Sequence, residues 1–158
     1  MSLRIAPALE SDVPVILDFI RQLADYEKLS GEVAATEESL RDTLFGARPY
    51  AEVLIAYWEE MPVGVALFFH NYSTFLAKPG IYLEDLFVNP AARGKGIGKA
   101  LLTRLAELAL ERGCGRVEWA VLDWNAPSIE FYQRMGARAM DEWTTFRLTG
   151  ASLEQYRS

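Results

Sequence analysis

The chain has 158 residues, 51% hydrophobic and 24% charged, with a net charge of −6. That composition excludes a disordered chain and a membrane-spanning one, which needs about 18 apolar residues in a row, and the acidic balance argues against nucleic acid as a partner. One cysteine, Cys114, excludes an internal disulfide, and one histidine, His70, leaves little for a metal site.

The opening MSLRIAPALE lacks the apolar centre of a signal peptide, so a cytoplasmic protein is expected. Leu3 to Ala6 reads as a short strand. Ser11 or Asp12 can cap a helix that carries Pro14 in its first turn. Val13, Ile16, Leu17, Ile20, Leu23 and Ala24 recur at helical spacing, and the pattern fades near Leu29, before Gly31. Thr36 caps a second helix with Leu40, Leu44 and Phe45, closed by Gly46 and Pro49.

Ala51 to Trp58 and Val63 to Asn71 are apolar runs rich in strand formers, joined by Glu59-Glu60-Met61-Pro62, so they predict a hairpin. The segment HNYSTFLAKPG is polar, aromatic and closed by Pro-Gly, and reads as a loop. Ile81 to Val88 (IYLEDLFV) predicts a fourth strand, ended by Asn89-Pro90. After RGKGIG comes ALLTRLAELALERG, with Leu101, Leu102, Leu105, Leu108 and Ala109 on one face and Gly113 as a C-cap. Arg116 to Leu122 predicts a fifth strand. Asn125 caps a helix with Pro127, Ile129, Phe131 and Tyr132, which Gly136 ends, and Trp143 to Leu148 predicts a last strand. Nothing repeats and nothing reads as an interdomain linker, so residues 1–158 are expected to form a single domain. The order of elements describes a mixed α/β sheet.

Arg93-Gly94-Lys95-Gly96-Ile97-Gly98 is the most informative stretch. It reverses the sign of an acidic chain where a helix begins. Helix N-termini carry unpaired N–H groups and partial positive charge, and glycine lets an anion approach the backbone closely. Walker A is excluded because Ala100 follows Gly98-Lys99, and the dinucleotide fingerprint because Lys99 stands where its third glycine belongs. A pyrophosphate cradle without those two motifs points to coenzyme A.

R-x-x-G-x-G after a strand and opening a helix resembles the acetyl-CoA signature of the GNAT acetyltransferase superfamily. IYLEDLFV, NAPSIEFYQRMGA, LADYEKLSGEV and the TEESL helix resemble its spermidine/spermine (diamine) and thialysine acetyltransferase branch, and the likeness covers nearly the whole chain. The resemblance implies the GNAT acyl-CoA N-acyltransferase fold: a mostly antiparallel sheet, flanked by helices and splayed between its fourth and fifth strands, with acetyl-CoA in the gap. It also implies a homodimer and a small-molecule primary amine as substrate.

Acetyl transfer to an amine needs a base for the ammonium, stabilisation of the oxyanion and a proton for the departing thiolate. Strand alternation sends Glu84 and Asp85 to opposite faces, and a carboxylate in an apolar strand is costly unless paired or functional. The resemblance implies that Glu84 removes the amine proton through water, with Asp85 beside it at the amine, and that Tyr132 is the acid. Tyr132 could equally pack beside Phe131. By the same resemblance, the backbone of Leu86, Phe87 and Val88 bonds the pantetheine arm and polarises the thioester carbonyl. Arg93, Gly94, Lys95, Gly96, Ile97, Gly98 and Lys99 take the pyrophosphate, and Asn125 and Ser128 lie near the coenzyme. Asn125 is in any case a helix cap. Tyr26 and Glu27 match an amine-site pair, or mark an exposed helix end.

The HNYSTFLAKPG segment departs from the polyamine pattern: Ser73, Thr74 and Phe75 stand where an Asp-Pro-Trp segment is expected. A smaller diamine, or a lysine-like amino acid such as thialysine, is therefore expected at least as much as a long polyamine. His70 and Tyr72 border this site or merely pack. Cys114, with no histidine near it in sequence, reads as structural, so direct transfer in a ternary complex without a metal is expected. The rival readings are a protein or peptide acetyltransferase, disfavoured by a long loop covering the site, and a non-catalytic coenzyme-A-binding module.

Overall fold

Five strands form one sheet, in chain order, in the computed structural model, which describes residues 2–158. They are β1 (Leu3–Pro7), β2 (Glu52–Trp58), β3 (Met61–Ser73), β4 (Lys78–Val88) and β5 (Val117–Trp119). The first four pair antiparallel; β5 joins β4 in parallel. The helices are α1 (Val13–Tyr26), α2 (Glu37–Phe45), α3 (Ile97–Glu111), α4 (Ala126–Arg134) and α5 (Gly150–Glu154). Residues 1–120 form one compact unit and residues 121–158 a second.

In the first unit α1 and α2 cover one sheet face. Val13, Ile16, Leu17, Phe19 and Leu23 of α1 and Leu40 and Leu44 of α2 are buried with Val53, Ile55, Val65 and Phe87. Each such side chain contributes roughly 1.5–3 kcal/mol when fully buried. The other face takes α3, close enough that a Cβ on Gly64 would touch Ile97 and Leu101.

The sequence places α2 correctly: the Thr36 hydroxyl accepts from the Ser39 amide, a cap worth about 1 kcal/mol. Asp12 precedes α1, but its carboxylate accepts from the Leu9 amide and so caps the 3₁₀ turn Glu10–Asp12 instead. Helix α1 stops at Tyr26, short of Leu29, because Lys28 takes a positive φ of 62°. The β2–β3 hairpin turns through Glu59 and Glu60, both at positive φ, as a two-residue turn requires.

Three expectations are corrected. The HNYSTFLAKPG segment is not a loop: β3 runs on to Ser73 and β4 starts at Lys78, leaving only Thr74–Ala77 as the turn of a long ribbon. Pro79 and Gly80 sit inside strand pairs with Tyr72 and Asn71. Strand five is Val117–Trp119 rather than Arg116–Leu122, and its ladder stops at Leu83↔Trp119 while β4 continues to Val88. The outer edge of residues 84–88 is thus left without a strand partner among the described residues.

The third correction lies in the second unit. Trp143 to Leu148 is not a strand there; Trp143 is 75% and Phe146 90% exposed, and a short unanticipated helix, α5, follows. A strand needs a neighbour to accept its backbone bonds, so alternation alone does not create one. Within this unit Asn125 caps α4 as expected, its Oδ1 accepting from the Ser128 amide at 3.4 Å.

Candidate active site

Strand β4 carries the feature that organises the site. Phe68 pairs with Leu83 and Leu67 with Asp85, so Glu84 is an extra residue, a β-bulge. The extra residue changes which face later side chains reach. Leu83 lies opposite Phe68, on the α3 side, whereas Asp85 and Phe87 lie opposite Leu67 and Val65, on the α1 side. Leu83 and Asp85, two residues apart, therefore lie on opposite faces, so strict alternation breaks within residues 83–85.

The bulge brings three carboxylates together at the end of α1. Asp85 is pushed up from its ordinary 3.8 to about 6, by burial first and then by the charges of Glu84 and Glu27. Burial and then Glu84 push the Glu27 carboxyl up. Burial, then Glu84 and Glu118, push the Tyr82 phenol up. No cation contributes to any of these shifts. Such a concentration of negative charge attracts an ammonium group, and an Asp near 6 is a proton acceptor suited to neutral pH.

Beyond β4 the chain makes a 3₁₀ turn, Pro90–Ala92, and enters the glycine stretch. Gly94 (φ 85°) and Gly96 (φ 74°) occupy the left-handed region, and a Cβ at either would meet no atom within 4 Å. Open space therefore lies over the loop. Gly96 is the N-cap of α3 and offers no side chain, so the amides of the first turn have no side-chain cap. Backbone amides without a side-chain cap beside open space are the features with which a helix N-terminus binds a pyrophosphate, such as that of coenzyme A.

The cations of the stretch are held unevenly. The Arg93 guanidinium lies 5.1 Å from the Tyr26 ring centroid and 5.7 Å from that of Phe87, and its Nε donates to the Val88 carbonyl at 3.2 Å. Lys95 Nζ lies 5.5 Å from the Trp58 ring. Lys99 is exposed on the first turn of α3. Trp58 went unnoticed in the sequence, because nothing local links a β2 residue to this loop.

One unit thus gathers Tyr26 (39% exposed), Glu27, Glu84, Asp85, Phe87 and the glycine stretch. The unpartnered edge of β4 includes Leu86, Phe87 and Val88. The remaining three expected residues lie in the second unit. Asn125 and Ser128 are joined in the α4 cap, and the Tyr132 ring packs on Phe131 at 5.6 Å.

His70 and Cys114 belong elsewhere. Cys114 does have a histidine nearby, His70 Nδ1 at 3.9 Å from Sγ, although none is close in sequence. Arg112 can only donate, so His70 Nε2, 3.0 Å from Arg112 Nη1, accepts; Nδ1 then carries the proton and donates to the Gly80 carbonyl at 3.0 Å. That proton is committed, and His70 is no base for the thiol. Arg112 in turn makes a two-pronged pair with Glu52 at 2.7 and 2.9 Å. Among the described residues no group of three or more His, Cys, Asp or Glu could hold a metal ion, and no helix is long and apolar enough to cross a membrane.

Comparison with known proteins bears directly on this site. Residues 19–137 match the model of the acetyltransferase (GNAT) family. The chain is similar to a thialysine N-epsilon-acetyltransferase of Sus scrofa, at 40% identity over 98% of this chain and 96% of that protein. It is also similar to an L-ornithine N5-acetyltransferase of Arabidopsis thaliana, at 37% identity over 96% of this chain and 86% of that one. Among solved structures, an integron cassette protein from V. cholerae superposes with a TM-score of 0.82 at 28% identity, covering 98% of this chain and 97% of the other.

Proposed function

From the premise that this chain belongs to the GNAT acetyltransferase family, we propose that it acetylates the side-chain amine of a small diamino acid, of the thialysine or ornithine kind, with acetyl-CoA as donor. The observation that carries this reading is the carboxylate trio Glu27, Glu84 and Asp85, gathered by the β4 bulge in the same unit as the glycine cradle. A primary ammonium is the chemistry that such a trio recognises, and Tyr26 supplies an aromatic face beside it.

Acetyl-CoA, when bound, supplies the acetyl group as a thioester. The glycine stretch Arg93–Lys99 holds its pyrophosphate, through the uncapped amides of the first α3 turn. The edge of Leu86–Val88 offers backbone groups to the pantetheine arm and the thioester carbonyl. Glu27 and Asp85 hold the substrate ammonium electrostatically, and Glu84 takes its proton through water so that the nitrogen lone pair is free to attack. The ionisation of Asp85 near 6 sets the acid limb of activity. Tyr132 gives its phenolic proton to the departing thiolate and takes one back from solvent. Transfer is direct, without an acyl-enzyme on Cys114.

Both compact units serve this one activity: the family match at 19–137 runs across their division after residue 120, which supports a single catalytic domain. A cytoplasmic homodimer completes the reading. The exposed Trp143, Phe146 and Leu148 of the second unit support association.

A thiol-release assay over thialysine, ornithine, lysine, spermidine and amine-bearing peptides tests the substrate class. Thialysine or ornithine is expected to give the highest kcat/KM. Turnover of peptides alone, or acetyl-CoA binding with no turnover of any amine, overturns it.

A further inference from the structure

Arg93 opens the glycine stretch, and plain charge logic would send its guanidinium into the anion cradle. It lies elsewhere. The guanidinium plane sits against Tyr26, the last residue of α1, and against Phe87 of β4, while Nε holds the Val88 carbonyl. Phe87 is itself packed on Phe19 of α1, with ring centroids 6.2 Å apart. Arg93 thus joins three pieces of chain: the loop that carries the cradle, the end of β4 and the end of α1.

The end of α1 is also where the acidic cluster begins. Glu27 follows Tyr26 directly, and its carboxyl feels Glu84. The backbone there is closed by bonds from the Glu27 amide to Leu23, the Lys28 amide to Asp25 and the Leu29 amide to Ala24. Anything that stiffens Tyr26 stiffens this turn.

We propose that Arg93 is a positioning residue, tying the coenzyme loop to Tyr26 so that coenzyme binding at the cradle orders the Tyr26–Glu27 wall of the amine site. The two ligands then reinforce each other's binding, and the reinforcement is reciprocal. An arginine suits the role because its flat cation can stack on two rings and donate to a carbonyl at once. The effect on the amine rests on the proposed function; the effect on the α1 end does not.

Two measurements separate the cases. In the first, hydrogen exchange of amides 27–29 is followed with and without saturating coenzyme A. Coenzyme A is expected to slow exchange about two- to five-fold in the wild-type chain, the range of a partly exposed cation–π contact, and not in Arg93→Met. No slowing in the wild type, or equal slowing in Arg93→Met at saturation, overturns the coupling whatever the amine proves to be.

The second is a double-mutant cycle on the amine KM at saturating acetyl-CoA, with Arg93→Met, Tyr26→Leu and both together. Each single change is expected to raise KM about two- to five-fold, and the pair to do no more than the larger single change. Additive effects overturn the proposal, as does an Arg93→Met that weakens acetyl-CoA binding while leaving the amine KM unchanged. Failure of the amine panel on the wild type, with exchange still slowed by coenzyme A, would count against the substrate reading alone.

Discussion

Two sets of charged residues lie on this one sheet and are built in opposite ways. Beside α3, Glu52, Arg112, His70 and the Gly80 carbonyl form a chain in which opposite charges pair and donors meet acceptors. The hydrogen bond and charge of Arg112 lower the Glu52 carboxyl, and the same contact raises the Arg112 guanidinium. Beside α1, Glu27, Glu84 and Asp85 crowd like charges together, and burial raises Asp85 to about 6. The first set holds chain segments together. The second gives up stability to hold negative charge where a cationic substrate can offset it.

The largest test of that contrast is Glu84→Gln. A general base contributes typically 10²- to 10⁴-fold, so kcat/KM should fall by about that much, read by thiol release at saturating acetyl-CoA. A loss under about three-fold would move the base elsewhere in the trio.

Next is Asp85→Asn. A carboxyl raised from 3.8 to about 6 is protonated more readily in the folded state than in the unfolded one, so stability is full below pH 4 and declines as pH rises through 6. The amide should therefore stabilise the fold at pH 8 by up to roughly 2 kcal/mol, with no gain at pH 4, measured by urea unfolding.

Gly96→Val leaves both charge sets alone and enters the cradle instead. A β-branched residue at φ 74° is strained and fills the open space over the loop, so acetyl-CoA Kd should rise at least about ten-fold in a folded protein. Titration calorimetry reads this directly.

The smallest effect is expected for Glu52→Gln, with the opposite pH sign to Asp85→Asn. A lowered carboxyl stabilises above its unfolded pKa and loses that contribution as pH falls through its folded value. The pair is partly exposed and screened, so the loss should be about 0.5–1 kcal/mol at pH 7 and fade in acid, with the amine KM unchanged.

Much of this was visible in the sequence because it is local. Helical spacing, the Thr36 and Asn125 caps and the β2–β3 hairpin are written within a few neighbouring residues, although the turn is Glu59-Glu60 and the expected linker residues Met61 and Pro62 belong to β3. The glycine stretch announces a cradle because φ and bulk are properties of single residues. The long β3–β4 ribbon was hidden because Asn71, Ser73 and Pro79 look like loop residues, while their place in the ladder is set by register with the partner strand. Trp143–Leu148 failed in the opposite sense: strand chemistry was present, and no strand pairing forms there. The bulge at Glu84 has no signature in LEDL, since it is set by register against β3. The posture of Arg93 depends on Tyr26 and Phe87, which only the fold brings near.

The bulge also gives β4 a reading frame. Residues before Glu84 and residues after it are phased to opposite sides of the sheet. Removing residue 84 would take out the extra residue and let Asp85 follow Leu83 in regular alternation, with the pairings Leu83–Phe68 and Asp85–Leu67 kept. Phe87 would stay against Phe19, and Val88 beside Gly98. Deletion of residue 84 should therefore cost the fold little while removing one carboxylate of the trio, and urea unfolding beside thiol release would separate the two effects.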